Sequence, residues 1–156
     1  MGKQFTAALV MKLVEDGKVK LDASIRTYLP SAPDTWEKIT VRKLLGHTSG
    51  LSDPYDKLDM RKDYTEEELL QIEGEIPLLL QPGEAWSYSN MGYHVLGFLC
   101  SKVGGAFYGD QLKTRIFEPA NMKTARVISE SDIVMNRAAG YEIRDGKPYN
   151  QEWVAP

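Results

Sequence analysis

A strongly apolar stretch between Ser89 and Gly105 is the feature that most constrains how this chain can fold. Its apolar side chains recur every three or four residues, which is the spacing of one face of an α-helix. The pattern ends at a Gly-Gly pair, where a left-handed glycine typically terminates a helix. The sequence therefore predicts a helix that opens at Ser89 or Asn90 and carries these apolar residues: Met91, Val95, Leu96, Leu99, Cys100 and Val103.

The same kind of pattern predicts helices elsewhere along the chain. Apolar residues at helical spacing begin at the chain start, and Ser/Thr residues with capping potential precede two later segments. A Thr-x-x-Glu pattern, the capping box, precedes one of them. The predicted helices run from the chain start to a stop at Gly17, over 41–46 behind an N-cap at Thr40, from Thr65 to about Glu73, and over about 106–117.

The last quarter of the chain has a residue pattern typical of β-strands and not of helices. Asp145-Gly146 lies between two segments of β-forming residues within 139–149. An Asp-Gly pair in that setting is a strong signal for a two-residue hairpin turn. The pattern as a whole predicts a mostly α chain, of the α+β class, with one short β-hairpin near the C-terminus.

Composition excludes several classes of function. The 156 residues carry a net charge of −3, which gives no electrostatic case for binding nucleic acid or an anionic membrane. No apolar run approaches the ~18 residues that a membrane span needs. Cys100 is the only cysteine and the two histidines lie far apart, so no metal-ligand spacing is present. We expect neither a metal nor a cofactor.

Four segments, taken in order, resemble one family of enzymes. The third contains a Tyr-x-Asn motif as Tyr88-Ser89-Asn90, and the second contains His47-Thr-Ser-Gly50. All four occur in the order and with the spacing of the class C β-lactamase and DD-peptidase family, the serine hydrolases that resemble penicillin-binding proteins. Any one segment would be weak, but the set covers nearly the whole chain. The four segments are 2–8 together with 13–22, then 39–51, 81–93 and 116–122.

The resemblance implies an active site of which this sequence holds only a part. Lys3 falls on the lysine of the family's Ser-x-x-Lys motif, which places the nucleophilic serine just before Met1. By resemblance Lys3 and Tyr88 share the role of base, and Asn90 holds the substrate amide or the lysine. No Ser-x-x-Lys, Lys-Thr-Gly or His-x-Gly pattern occurs in the sequence itself. We therefore expect an internal fragment, inactive without its nucleophile.

Each of these residues also has a simpler interpretation. Without the resemblance, Lys3 would be a solvated surface residue, Tyr88 a half-buried aromatic residue and Asn90 a helix N-cap. A catalytic pair of His47 and Ser49 is rejected, because the family does not use this histidine as its base. We expect His47 to have a structural role, satisfying backbone groups where a helix ends.

Two hypotheses of different classes follow. In the first, 1–156 is a single partial β-lactamase-like domain, with a helical lobe over 1–125 and a loop and hairpin over 126–156 that lead toward a missing sheet. It belongs to a hydrolase acting on β-lactams, D-Ala-D-Ala peptides or small esters and amides. In the second, the chain is a non-catalytic binding or assembly module. In both, uncovered apolar faces predict a homo-oligomer or a domain-swapped dimer. The sequence gives no compartment.

Overall fold

A computed structural model describes residues 2–53, 57–59, 62, 64–128 and 132–151. These residues form five α-helices followed by one antiparallel β-hairpin, which confirms the predicted mostly α class. Two short 3₁₀ turns, Ile25–Thr27 and Asp34–Trp36, connect the first two helices. The helices are α1 (Lys3–Glu15), α2 (Val41–Leu45), α3 (Glu66–Gly74), α4 (Met91–Gly104) and α5 (Tyr108–Leu112), and the strands are β1 (Tyr141–Arg144) and β2 (Lys147–Asn150).

Three of the predicted helix-end signals are found in the structure. Thr40 accepts a hydrogen bond from the Lys43 amide at the start of α2. Thr65 and Glu68 form the complete capping box at the start of α3, with each side chain bound to the other residue's backbone. Gly17 follows α1 with a φ of +71°, a conformation that glycine adopts without steric cost.

Helix α4 is the centre of the described fold. It packs against α1, α2, α3 and α5, and its apolar residues face all four neighbours. A helix that is apolar on most of its surface must be buried in this way, because no single face could be left to water. The fully buried core includes Leu9, Leu13, Ile25, Trp36, Ile39, Leu44, Met91, Val95, Leu96 and Leu99.

The helix expected over 106–117 is shorter and less regular than predicted. Phe107 has an extended conformation (φ −52°, ψ 137°), so the helical conformation begins only at Tyr108. After α5 the chain continues as a π-helical turn, Lys113–Phe117. Phe117 packs edge-on against Phe5 of α1, with ring centroids 5.2 Å apart, and this contact ties the turn to the first helix.

Two irregular segments lie side by side next to α4. The amides of Leu79, Gly83 and Ser87 donate to backbone carbonyls of 47–50, each at 2.8 Å. Gly50 lies in this pairing with a φ of +80°. The segment that contains Leu79, Gly83 and Ser87 leads directly into Tyr88 and α4. The paired segments therefore fix the residues that precede the central helix.

The hairpin turn has the conformation that its sequence predicts. Asp145 and Gly146 both have positive φ, 49° and 73°, as a two-residue type I′ turn requires. Strand β1 pairs with β2 in antiparallel register, with Tyr141 opposite Asn150. None of the helices in the described part of the chain is long and apolar enough to cross a membrane.

Candidate active site

The three residues predicted to share a site meet in the structure, although they lie far apart in sequence. Lys3 is in the first turn of α1, and its Nζ donates to Asn90 Oδ1 at 2.5 Å. The Tyr88 hydroxyl donates to the same oxygen at 3.3 Å. One amide oxygen therefore accepts from both the lysine and the phenol.

Two aromatic rings surround the lysine. Its Nζ lies 5.1 Å from the ring centroid of Tyr88 and 5.4 Å from that of Tyr93. A cation at this distance from an aromatic face is attracted by the ring's quadrupole, which favours one position for the flexible lysine side chain. Tyr88 is 53% exposed, so its hydroxyl group remains accessible to a ligand.

Asp53 holds the opposite side of the Asn90 amide. Its carboxylate accepts from Asn90 Nδ2 at 2.8 Å, from the Met91 amide at 2.9 Å and from the Ser89 hydroxyl at 3.1 Å. Burial acts to raise the pKa of Asp53, but these hydrogen bonds together outweigh it and leave the pKa below its ordinary value. Asp53 is therefore an acceptor that the fold keeps ionised at neutral pH.

His47 lies behind the two tyrosines. Its Nδ1 accepts from the Ser89 amide at 3.2 Å, and its ring stacks on Tyr88 and Tyr93 with centroids 4.6 and 5.1 Å away. Burial lowers the pKa of His47, and the charge of Lys3 lowers it further. A neutral imidazole that accepts at Nδ1 carries its proton on Nε2. His47 thus binds a backbone amide and stacks on two tyrosine rings, which agrees with the structural role expected for it.

Two serines near the site, Ser49 and Ser89, have hydroxyl groups that are engaged elsewhere. Ser49 is buried, and its Oγ accepts from the Leu51 amide. Ser89 is buried as well, with its hydroxyl donating to Asp53 and accepting from the Gly92 amide at 3.0 Å. Neither hydroxyl is placed to attack a ligand beside Lys3.

A cleft of about 700 Å³ extends from Lys3 and Tyr88 along one side of α4. Its walls combine six tyrosine and phenylalanine side chains with aliphatic and charged ones, and the aromatic surface is suited to a ligand with apolar groups. The lining side chains include Lys3, Tyr88, Tyr93, His94, Phe107 and Tyr108.

Comparison with known proteins decides the family. The β-lactamase family, as described by its sequence model, matches residues 1–156. This chain belongs to the β-lactamase family. The match confirms the family resemblance carried by the four sequence segments, and it agrees with the mostly α architecture, since solved structures of the β-lactamase/transpeptidase-like fold superpose on it.

Three similar proteins illustrate the range of the family. Penicillin-binding protein 4* of Bacillus subtilis is 35% identical over 136 residues, which cover 81% of this chain and 29% of that protein. A D-amino acid amidase from Ochrobactrum anthropi, solved with L-phenylalanine amide, is 33% identical with a TM-score of 0.80, covering 95% of this chain and 44% of that one. A D-stereospecific amidohydrolase from Streptomyces is 26% identical with a TM-score of 0.84, covering 99% and 51%.

The β-lactamase-family chain is shorter than these relatives. It spans about a third of the length of the curated relatives that it matches and about half of the solved chains. The β-lactamase-like hydrolase family is thus established for this chain, whereas the activity of a whole protein is a matter for proposal.

Sequence reasoning missed two acidic residues near the site. Asp53 lies just beyond 39–51, the second of the four family segments, and no spacing rule links it to the start of α4. Glu73 is fully buried at the end of α3, where its Oε1 lies 2.7 Å from His94 Nδ1 at the cleft wall. Its Oε2 has no hydrogen-bond partner among the described residues. Burial raises the pKa of Glu73, and His94 partly offsets this.

Proposed function

We propose that this chain supplies the general-base half of a serine hydrolase that forms an acyl-enzyme with β-lactams, D-Ala-D-Ala peptides or small esters and amides. The contact of Lys3 Nζ with Asn90 Oδ1 at 2.5 Å, with Tyr88 bound to the same oxygen, is the observation that carries the proposal. Lys3 and Tyr88 would be the catalytic pair, and Asn90 would hold the lysine.

The chemistry of acyl transfer explains why this arrangement is suitable. A serine hydroxyl becomes a nucleophile when a neighbouring base takes its proton, and the leaving atom needs that proton back. Hydrogen bonds to the shared Asn90 oxygen hold the amine and the phenol on the same side of the site, where either could take the proton of a serine and return it to the leaving atom. The similarity to a D-amino acid amidase and to a D-stereospecific amidohydrolase supports including amides among the substrates.

The proposal also concerns how the chain assembles. We propose a single partial domain, with 1–125 as its helical lobe and 126–156 leading toward a sheet. Tyr141 and Ile143 of the hairpin are 66% and 69% exposed, a large apolar surface for a small hairpin. These exposures support a homo-oligomer or a domain-swapped dimer. A monomer in light scattering at high protein concentration would contradict this part of the proposal.

The first test is turnover by this chain as it stands. We expect no hydrolysis of nitrocefin or p-nitrophenyl acetate above the buffer rate, because the sequence contains no Ser-x-x-Lys motif and no Lys-Thr-Gly strand. Removing a nucleophile or an oxyanion-hole donor each costs orders of magnitude in rate. Turnover that disappears in Tyr88→Phe would contradict the expected inactivity.

The second test supplies the nucleophile. A variant with one serine inserted before Met1 restores the spacing Ser-x-x-Lys with Lys3, and an inserted alanine is its matched control. We expect p-nitrophenyl acetate to acylate the inserted serine, as located by peptide mass spectrometry. General-base catalysis contributes about 10²-fold or more, so Lys3→Met should slow this acylation by about that factor. Equal acylation in the Lys3→Met background, or none at the serine, would refute the proposed role of Lys3.

A further inference from the structure

We propose that Asp53 is a positioning residue that sets the orientation of the Asn90 amide, so that the amide presents its oxygen, and not its NH₂ group, to Lys3. The consequence for catalysis rests on the function proposed above. The orientation itself does not, since it follows from the hydrogen bonds of the described residues alone.

The donors around Asp53 leave only one arrangement of the amide. A carboxylate only accepts hydrogen bonds, so the group of Asn90 that faces Asp53 Oδ2 at 2.8 Å must be the NH₂ group. The amide oxygen then points the other way, toward Lys3 Nζ at 2.5 Å and the Tyr88 hydroxyl at 3.3 Å. The charge on Asp53 thus decides which atom the lysine meets.

The position of Asp53 is fixed independently of Asn90. Its Oδ1 accepts from the Met91 amide at 2.9 Å and from the Ser89 hydroxyl at 3.1 Å. The Met91 amide is in the first turn of α4, the central buried helix, and Ser89 lies two residues before it. The carboxylate is therefore anchored to a rigid element, and the Asn90 amide is held between that anchor and the lysine.

A single substitution of Asp53 or Asn90 should place two donors or two acceptors opposite each other. Exchanging the two residues should restore a donor opposite an acceptor. In Asp53→Asn, the N–H of Met91 requires the oxygen of the new amide, so the NH₂ group of that amide faces the NH₂ of Asn90. Turning Asn90 over only moves the conflict to Lys3. In Asn90→Asp, two carboxylates face each other at hydrogen-bond distance. In the double variant Asp53→Asn/Asn90→Asp, the NH₂ of residue 53 donates to the carboxylate at 90, which again offers an oxygen to Lys3.

The experiment is NMR of the complete chain, which needs no turnover. In the wild type we expect a resolved Lys3 side-chain NH₃⁺ resonance, slowed in exchange by its bond to Asn90, and a nuclear Overhauser contact from the Asn90 NH₂ protons to the Asp53 Hβ protons. In Asp53→Asn we expect loss of the Lys3 resonance. In the double variant we expect the Lys3 resonance to return.

Ser89→Ala is the control that distinguishes positioning of the Asn90 amide by Asp53 from a general contribution to fold stability. It removes one hydrogen bond to Asp53 and the bond to the Gly92 amide, but leaves the bond between Asp53 and Asn90 intact. We expect it to lower the thermal midpoint without loss of the Lys3 resonance. A Lys3 resonance that survives in Asp53→Asn, or that is lost equally in Ser89→Ala, would overturn the inference. Acylation assays on the serine-extended chain test the proposed function separately.

Discussion

Replacement of Gly50 by alanine should destabilise the chain, because the added Cβ collides with the backbone. Comparison with a second glycine that lacks this collision isolates its cost. An added Cβ at Gly50 would lie 2.0 Å from the carbonyl oxygen of Leu80 and 2.9 Å from its carbonyl carbon. These are backbone atoms, so no side-chain rotation relieves the contact. Gly50 also has a φ of +80°, which a residue with a Cβ adopts only at a cost.

The expected magnitude has two parts. A left-handed conformation costs a non-glycine residue about 1–2 kcal/mol. Forcing extra volume into a packed site costs about 1–3 kcal/mol more. The sum, about 2–5 kcal/mol, is a large share of the ~5–15 kcal/mol that stabilises a typical domain. With a urea dependence of about 2 kcal/mol per molar, the unfolding midpoint should fall by about 1–2.5 M.

Gly105→Ala is the matched control. Gly105 has a φ of +72°, but an added Cβ there has no neighbour within 4 Å. It should therefore show only the conformational cost, about 1–2 kcal/mol. Urea unfolding followed by circular dichroism gives both free energies of unfolding. Equal losses in the two variants would refute the argument that the contact with Leu80 makes Gly50 special.

Three further outcomes are expected. Thr65→Ala removes the capping box of α3 and should lower the free energy of unfolding by about 1 kcal/mol. Thr27→Ala, at an exposed threonine, is the control and should change this free energy little. Equal effects of the two substitutions in urea unfolding would contradict the capping role. Glu73→Gln should alter pH dependence: since burial raises the folded-state pKa above its ordinary 4.5, the contribution of Glu73 to stability is complete below about pH 4.5 and is lost as pH rises through the folded pKa. The free energy of unfolding of the variant should therefore gain on that of the wild type as pH rises above about 4.5, and a difference that does not change with pH would contradict this. Burial raises the pKa of the Cys100 thiol to about 12, so Ellman's reagent should leave it unmodified at mildly alkaline pH until urea unfolds the chain, and rapid labelling of the native chain would show that the packing around α4 is wrong.

Local sequence signals predicted the helices and turns well because the interactions that define them are local. The Thr65–Glu68 capping box and the Asp145-Gly146 turn involve residues within three positions of one another, and both form as predicted. The extended conformation of Phe107 has no such local signal. It shortens the helix expected over 106–117 at its start.

The candidate site was predictable only through the family motifs. No periodicity relates Lys3 to Asn90, which is 87 residues away along the chain and yet 2.5 Å from it. The motifs stand in for this missing geometric information, because they record which segments of the family meet. Asp53 carried no motif that the resemblance used. Its partners are 36 to 38 residues away, so its role becomes visible only when the chain is folded.

Asn90 occupies the N-cap position of α4, as the simpler interpretation predicted, but its side chain does not cap the helix. The first-turn amides of a helix need acceptors, and an asparagine directly before an apolar helix is a common one. Here the Asn90 side chain makes no capping bond. Asp53 accepts from the Met91 amide and Ser89 accepts from the Gly92 amide. Because these two residues satisfy the start of the helix, the Asn90 amide is free of that task and can join Asp53 to Lys3. A helix that depended on Asn90 for its cap would hold the amide oxygen against its own backbone, where the lysine could not use it.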